Sequence, residues 1–230
     1  MELKVTLKDP KKSDYFYEES IKTLRTNIQF SSKQVKVVLL TSCYPNEGKS
    51  DIAFSLSLEM GKAGKRVLLV DADIRKSNFI KRYSVNQTIH GLSQYLSGQV
   101  ERQWLTYQTN FPNVDMIFAG PLAPNPSELL GDPAFGELLE EKRKEYDYIF
   151  IDTPPIGSMI DAAIVAEKSD GAVLVIESEA VSYSVAQKSL TQLERSGCKI
   201  LGAVLNKVDM KKDKYYSSYY GRYGGYYKHK

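Results

Sequence analysis

A mainly parallel α/β sheet covered by helices on both faces is the architecture that this 230-residue sequence predicts. Three observations predict it. Apolar, largely β-branched runs recur along the chain, helical apolar spacing recurs between them, and three of the runs end in a loop carrying a lysine or carboxylates. The alternation gives about six or seven strands, and a chain of this length buries a substantial core in one domain.

Composition narrows the functional classes. Hydrophobic residues make up 42% and charged residues 26%, ordinary values for a soluble globular protein. A net charge of +3 is too small to indicate a nucleic-acid partner. No run approaches the roughly 18 consecutive apolar residues of a membrane span, and the N-terminus lacks a signal-peptide core. Cys43 and Cys198 are too few for a disulfide framework and lie in no CxxC pair. These features describe a cytoplasmic protein whose membrane association would need a partner. Tyrosine is the outlier, with 16 residues, seven of them in the last 16 positions.

Residues 1–12 read as a lead-in. A helix is expected over residues 13–32, because Phe16, Ile21, Leu24 and Ile28 share one face. Glu19, Lys22 and Arg25 recur every third residue on another face, as a solvated stripe of i,i+3 pairs or as a subunit contact.

The first informative strand is Val35–Leu40. It runs into Thr41-Ser42-Cys43-Tyr44-Pro45-Asn46-Glu47-Gly48-Lys49-Ser50, and a helix follows with apolar residues at Ile52, Leu56, Met60 and Ala63. Strand, loop and helix N-terminus in that order make an anion site, because unpaired backbone N–H groups and the helix dipole converge there. Lys49 adds a positive charge for β- and γ-phosphates, and the Ser50 hydroxyl suits a Mg²⁺ ligand. This is a P-loop with departures. Cys43 stands where the full pattern has Gly, and Asn46 stands where a second Gly is expected, Asn being tolerant of positive φ. Asp51 puts a carboxylate beside the phosphates, or is simply a first-turn acid favoured by the dipole.

Arg66–Val70 reads as a second buried strand and ends in Asp71-Ala72-Asp73-Ile74-Arg75. Ligands of an open parallel sheet bind outside the carboxyl ends of its strands, which puts Asp71 and Asp73 on the rim of Lys49. Acids beside a phosphate site repel it unless a cation lies between, so Mg²⁺ is the natural occupant; a turn acid is the plainer alternative.

Residues 76–146 say less. Gly91–Leu96 reads as a short helix and Val114–Phe118 as a strand. Pro121, Pro124 and Pro126 stiffen a loop into a helix that Ser127 could cap. His90 and Trp104 read as structural. Tyr146–Ile151 is a third strand that ends in Asp152-Thr153-Pro154-Pro155, an acid placed to hold Mg²⁺ through water or to position an attacking group. A helix over Ser158–Lys168, a strand over Ala172–Ile176, a helix with Val185, Ala186, Leu190 and Leu193 inward, and a strand over Ile200–Leu205 complete the domain. The closing Asn206-Lys207-Val208-Asp209 has the form of a guanine-binding NKxD, but Asn206 contacting adenine, with Lys207 and Asp209 beginning the tail, is the preferred reading.

The domain therefore spans residues 1–210, and 211–230 is a separate tail. That tail holds no Leu, Ile or Val and is expected to be disordered when free. Its phenols, Tyr215, Tyr216, Tyr219, Tyr220, Tyr223, Tyr226 and Tyr227, read as a sticky segment or as phosphoacceptors.

The loop Ser42–Ser50, the DxDxR ending of Val67–Arg75, the strand Ile149–Pro155 and the tyrosine cluster together resemble the bacterial tyrosine kinases (BY-kinases) of capsular and exopolysaccharide synthesis, along essentially the whole chain. The resemblance implies a P-loop NTPase of the MinD/ParA-like branch that uses ATP and Mg²⁺. It implies catalytic roles for Lys49, Asp71, Asp73 and Asp152, and a Mg²⁺ shell of Ser50, Asp71 and Asp152. The nucleotide would lie against Pro45, Asn46, Glu47, Gly48, Lys49, Ser50, Asp51, Arg75 and Asn206. It further implies autophosphorylation of the tail between subunits of a homo-oligomeric ring, an octamer being one size open to it, through Glu19, Lys22 and Arg25. A membrane-anchored activator of polysaccharide-copolymerase type would hold the chain at the inner face of the membrane, and other phosphorylated proteins are open to it as substrates. Two departures bear on this. Asn46 and Asp51 replace the family's Gly and hydroxyl, and Lys22 replaces the middle Arg of Glu-x-x-Arg-x-x-Arg, which removes a bidentate contact. The competing readings are a MinD/ParA-like ATPase switch, whose second lysine would fall where Cys43 or Tyr44 stands, and a scaffold with a degenerate nucleotide site.

Overall fold

Val37, Leu39, Leu68, Val70, Ile149 and Ile151 pack into one hydrophobic cluster, while Val38, Leu40, Val67, Leu69 and Phe150 pack into another. Successive strand residues point to opposite faces, so continuous apolar runs require cover on both sides. The computed structural model, which describes residues 3–8, 15–32, 34–85 and 87–209, supplies that cover. Its elements are β1 (Leu3–Val5), α1 (Tyr15–Ser31), β2 (Val37–Ser42), α2 (Lys49–Lys62), β3 (Val67–Asp71), α3 (Phe79–Arg82) and α4 (Leu92–Leu96). Then follow β4 (Tyr107–Thr109), β5 (Val114–Ile117), α5 (Pro126–Gly131), α6 (Pro133–Lys142) and β6 (Tyr148–Asp152). The described chain closes with α7 (Asp161–Ala166), β7 (Gly171–Glu177), α8 (Tyr183–Arg195) and β8 (Ile200–Asn206).

Among the described residues, eight strands form one sheet in the order β1-β4-β5-β3-β6-β2-β7-β8. Every pairing is parallel except β4 with β5. Ile21 and Ile28 of α1 and Ile52, Phe54, Leu56 and Met60 of α2 join the cluster on one face. Leu130 of α5, Phe135, Leu138 and Leu139 of α6, Ala162 and Val165 of α7 and Leu193 of α8 join the other. The carboxyl ends of β3, β6 and β2 are thereby adjacent, with Asp71 and Asp152 in register.

Several expectations are corrected. The sheet has eight strands rather than six or seven, because β1 and β4 are three residues each and too short to show a period. The helix expected over Ser158–Lys168 is only Asp161–Ala166, since Ser158 N and Met159 N both donate to Pro155 O and form a turn first. Ser127 is no cap: Asn125 holds that position, Pro126 opens α5, and the Ser127 hydroxyl turns to Asp161. Helices α3 and α6 were not anticipated from the sequence pattern. Within the described residues α1 begins at Tyr15; residues 13 and 14 of the expected 13–32 helix, and the whole 211–230 tail with its seven tyrosines, lie outside them. Among the described residues no helix is long and apolar enough to cross a membrane.

Candidate active site at the carboxyl rim

The P-loop is shaped by two residues in the left-handed region, Asn46 at φ 69° and Gly48 at φ 91°. Asn meets that demand with a short polar side chain, which explains its replacement of Gly. Gly48 has a second reason: a Cβ there would lie 2.2 Å from Asn206 Nδ2. Gly48 is the N-cap of α2 and has no side-chain capping bond, so the first-turn N–H groups face the loop as an anion cradle.

Other strand ends hold the loop in place. Glu47 is 2% exposed, and its carboxylate accepts from Tyr44 N at 2.6 Å and from Glu177 N at 2.9 Å. Asn206 Nδ2 donates to Glu47 O at 2.8 Å. Lys207 Nζ donates to Asn46 O and pairs with Glu177, both at 2.8 Å. Asn206 is thus beside the nucleotide cradle, with its amide N–H on the loop backbone. Lys207, read from the sequence as the beginning of the tail, instead braces the loop, and the NKxD tetrapeptide presents its first two side chains to protein rather than to a base.

Lys49, Ser50 and Asp152 meet. Ser50 Oγ donates to Asp152 Oδ2 at 2.6 Å, and Lys49 Nζ lies 3.3 Å from Ser50 Oγ and 3.5 Å from Asp152 Oδ1. That Oδ1 is buried and accepts no hydrogen bond. Across the β3–β6 pairing stands Asp71, 1% exposed, one carboxylate oxygen accepting from Asp73 N at 3.2 Å and the other from the Ser77 hydroxyl. Burial, then the Asp152 charge, raise the Asp71 carboxyl well above the usual carboxylate range, against the Ser77 bond. Burial likewise raises Asp152, opposed by Lys49 and Ser50. Asp73 is half-buried on the same rim, and its Oδ1 accepts from Lys76 N at 3.0 Å.

These residues fit magnesium-bound nucleotide. A buried carboxylate oxygen that accepts no hydrogen bond, with the Lys49 ammonium 3.5 Å away and a second buried acid across the strand pairing, can take a further cation. Among the described residues no group of three or more His, Cys, Asp or Glu side chains gathers closely enough to hold a metal unaided. Mg²⁺ does not require one, since it is held by one or two carboxylates with phosphate oxygens and water completing the octahedron.

Other predicted residues lie apart from this cluster. Arg75 Nε and Nη2 donate to the two oxygens of Asp161 at 2.5 and 2.9 Å. Asp51 pairs with Arg82 at 2.5 Å and accepts weakly from Tyr83 OH at 3.4 Å, which neutralises the unexpected acid. Pro45 is exposed at the loop tip. On α1, Glu19 and Lys22 pair at 2.7 Å, whereas Arg25 turns inward to Glu59 of α2 at 3.3 Å. Sequence reasoning missed Ser77, Asp161 and Arg82 and gave Ser127 a different role; no spacing marked these contacts, because each partner comes from another segment of the chain.

A family model described as an AAA domain matches residues 35–203. The chain is 41% identical over 209 residues to the tyrosine-protein kinase CpsD of Streptococcus agalactiae, covering 91% of this chain and 89% of that one. Among solved structures it is similar to the chimerical protein CapA2B2, with TM-score 0.80, 29% identity, and 90% and 95% of the two chains covered. It is also similar to the septum site-determining protein MinD of Pyrococcus horikoshii OT3 complexed with Mg-ADP, with TM-score 0.66, 26% identity, and 77% and 72% covered.

Proposed function

The chain belongs to the bacterial tyrosine-protein kinase family, and from that premise we propose that it transfers the γ-phosphoryl group of ATP to tyrosines of its own C-terminal tail. The observation that carries the reading is a junction: Asn206, the last residue of β8, and Lys207 just after it grip the P-loop backbone with their side chains, and the tyrosine-rich segment follows in the sequence. From Asp209 the first tail phenol, Tyr215, is six residues away, roughly 20 Å of extended chain. Tyr216, Tyr219, Tyr220, Tyr223, Tyr226 and Tyr227 reach farther, to about 60 Å, so a tail can enter its own site or that of a neighbour in a ring.

In this reading the first-turn N–H groups of α2 and Lys49 bind the phosphates. Ser50 and Asp152, with Asp71 behind them, would hold Mg²⁺, which when bound would neutralise phosphate charge. A phenol of pKa about 10 is protonated at neutral pH, so its proton needs an acceptor. Asp73 is the better placed acid, because Asp71 is closed off by its bonds to Asp73 N and Ser77. The tyrosine oxygen forms the new O–P bond, its proton passes to Asp73, and ADP departs with the bridging electrons.

The family resemblance supplies the setting: a membrane-anchored activator completing the ATP site, regulation of capsular or exopolysaccharide polymerisation and export, and a ring assembled through Glu19, Lys22 and Arg25. Each phosphotyrosine adds about −1.5 to −2 charges, so seven place roughly −10 or more on the tail and drive the ring apart.

The test is incubation of the full chain with labelled ATP, Mg²⁺ and the activator's cytoplasmic segment, followed by phosphosite mapping. Label between Tyr215 and Tyr227 that disappears with Lys49→Met is the expected result. Released phosphate without labelled tyrosine identifies an ATPase switch instead, and neither product identifies a scaffold.

A further inference from the structure

The Asp161 carboxylate is 0% exposed, and both its oxygens are used. Oδ2 accepts from Arg75 Nε at 2.5 Å, and Oδ1 accepts from Arg75 Nη2 at 2.9 Å and Ser127 Oγ at 2.7 Å. Arg75 Nη2 also reaches Ser127 Oγ at 2.8 Å, which closes a triangle. Its three corners belong to three different strand-to-helix connections. Arg75 lies in the loop after β3 that carries Asp73, Ser127 lies in α5 after the proline-stiffened loop that follows β5, and Asp161 opens α7 after the loop that follows Asp152. Those connections touch twice more through backbone, at Ala72 N to Asp152 O (2.8 Å) and Ala123 N to Ile74 O (3.2 Å). Backbone contacts fix the strand ends, and the triangle ties the start of α7 to the loop of Asp73.

We propose that Arg75, Asp161 and Ser127 form a positioning clasp that sets the spacing between the Asp71–Asp73 loop and the Asp152 loop for metal-bound nucleotide, and that Arg75 is not a nucleotide ligand. The clasp rests on the kinase reading for its consequence in catalysis, but its effect on metal binding does not. A planar fork gripping both oxygens of one carboxylate fixes orientation as well as distance, which an ammonium group cannot do. Arg75→Lys therefore keeps the charge and loses the geometry.

The experiment uses the full chain and a fluorescent ADP analogue, titrated without and with Mg²⁺, in Arg75→Lys, Asp161→Asn and Ser127→Ala. Expected are a metal-free affinity within about threefold of the parent and a magnesium-dependent gain in affinity reduced by roughly 10–100-fold in the first two variants, as for other partners that orient metal ligands. Ser127→Ala, which removes one corner without exposing a buried charge, gives a smaller loss in the same direction. It keeps the clasp testable should Asp161→Asn fail to fold. Phosphoryl transfer at saturating Mg-ATP falls in parallel. A tenfold drop in metal-free affinity in Arg75→Lys would make Arg75 a nucleotide ligand and overturn the proposal. An unchanged magnesium-dependent gain across folded variants would reduce the clasp to a structural tie. Should the parent phosphorylate no tyrosine, the kinase reading fails while the metal arm still decides the clasp.

Discussion

Asp152 and Asp170 stand at opposite ends of the same sheet and are treated in opposite ways. Asp170, at the amino end, accepts from Lys36 N and Val37 N at 2.8 Å and from both terminal nitrogens of Arg143 at 2.7 Å. Burial works against its charge, but the Arg143 and backbone bonds prevail, and its carboxyl is held below the usual range. Asp152, at the carboxyl end, is more deeply buried and keeps one oxygen without a hydrogen bond. A saturated carboxylate locks chain segments together, whereas one whose second oxygen has only the Lys49 ammonium at 3.5 Å keeps affinity for a further cation. Asp161 belongs with Asp170: burial opposes its charge, Arg75 and Ser127 outweigh it, and its carboxyl is lowered.

The sharpest way to break that contrast is to neutralise each acid in turn. Asp152→Asn lowers phosphoryl transfer by roughly 10²–10³-fold, with a thermal midpoint no lower than the parent's, because no saturated network is lost. Asp170→Asn does the reverse: about 2–3 kcal/mol of stability disappears in urea denaturation while turnover of the folded fraction persists. If both variants lost activity without losing stability, the division of labour would be refuted.

pH separates the two groups again. Asp161 and Asp170 are lowered, so their stabilisation is present above the unfolded value of about 3.9 and is lost as pH falls through their folded values. Asp71 and Asp152 are raised, so without Mg²⁺ their contribution is present below that value and is lost as pH rises through their folded values. Urea midpoints measured without metal from acid to neutral pH therefore flatten on the acid side in Asp170→Asn and stop declining toward neutrality in Asp71→Asn.

Smaller effects refine the picture. Gly48→Ala forces a side chain into the left-handed region and onto Asn206, which costs about 1–2 kcal/mol and loosens the brace between β8 and the P-loop; equilibrium denaturation and nucleotide titration read the two parts. Arg82→Ala removes only a half-exposed pair with Asp51 and changes stability by about 1 kcal/mol or less. A larger fall in nucleotide affinity than in stability would show that the Asp51 charge reaches the phosphates.

Much of the rim is legible in the sequence. The strand-loop-helix grammar around Lys49, and acids at the ends of two further strands, put Lys49, Ser50, Asp71 and Asp152 on one edge, because parallel strands deliver their carboxyl ends to the same side. Arg75 was legible as part of the motif but not in its role: the pattern shows an arginine two residues after Asp73, and nothing in it points 86 positions on to Asp161. Ser127 carried a local cap signature that Asn125 and Pro126 outcompeted. Lys207 looked like tail because its partner, a carbonyl of Asn46, leaves no trace in sequence.

The sequence by itself determined the alternation of strands and helices and the position of the phosphate loop, since periodicity and composition are local properties. Only the tertiary structure decided which buried acids are saturated and which are left short, and that Arg75 pairs with Asp161. Hydrogen-bond satisfaction depends on partners brought from distant positions, and no local pattern encodes the distance between them.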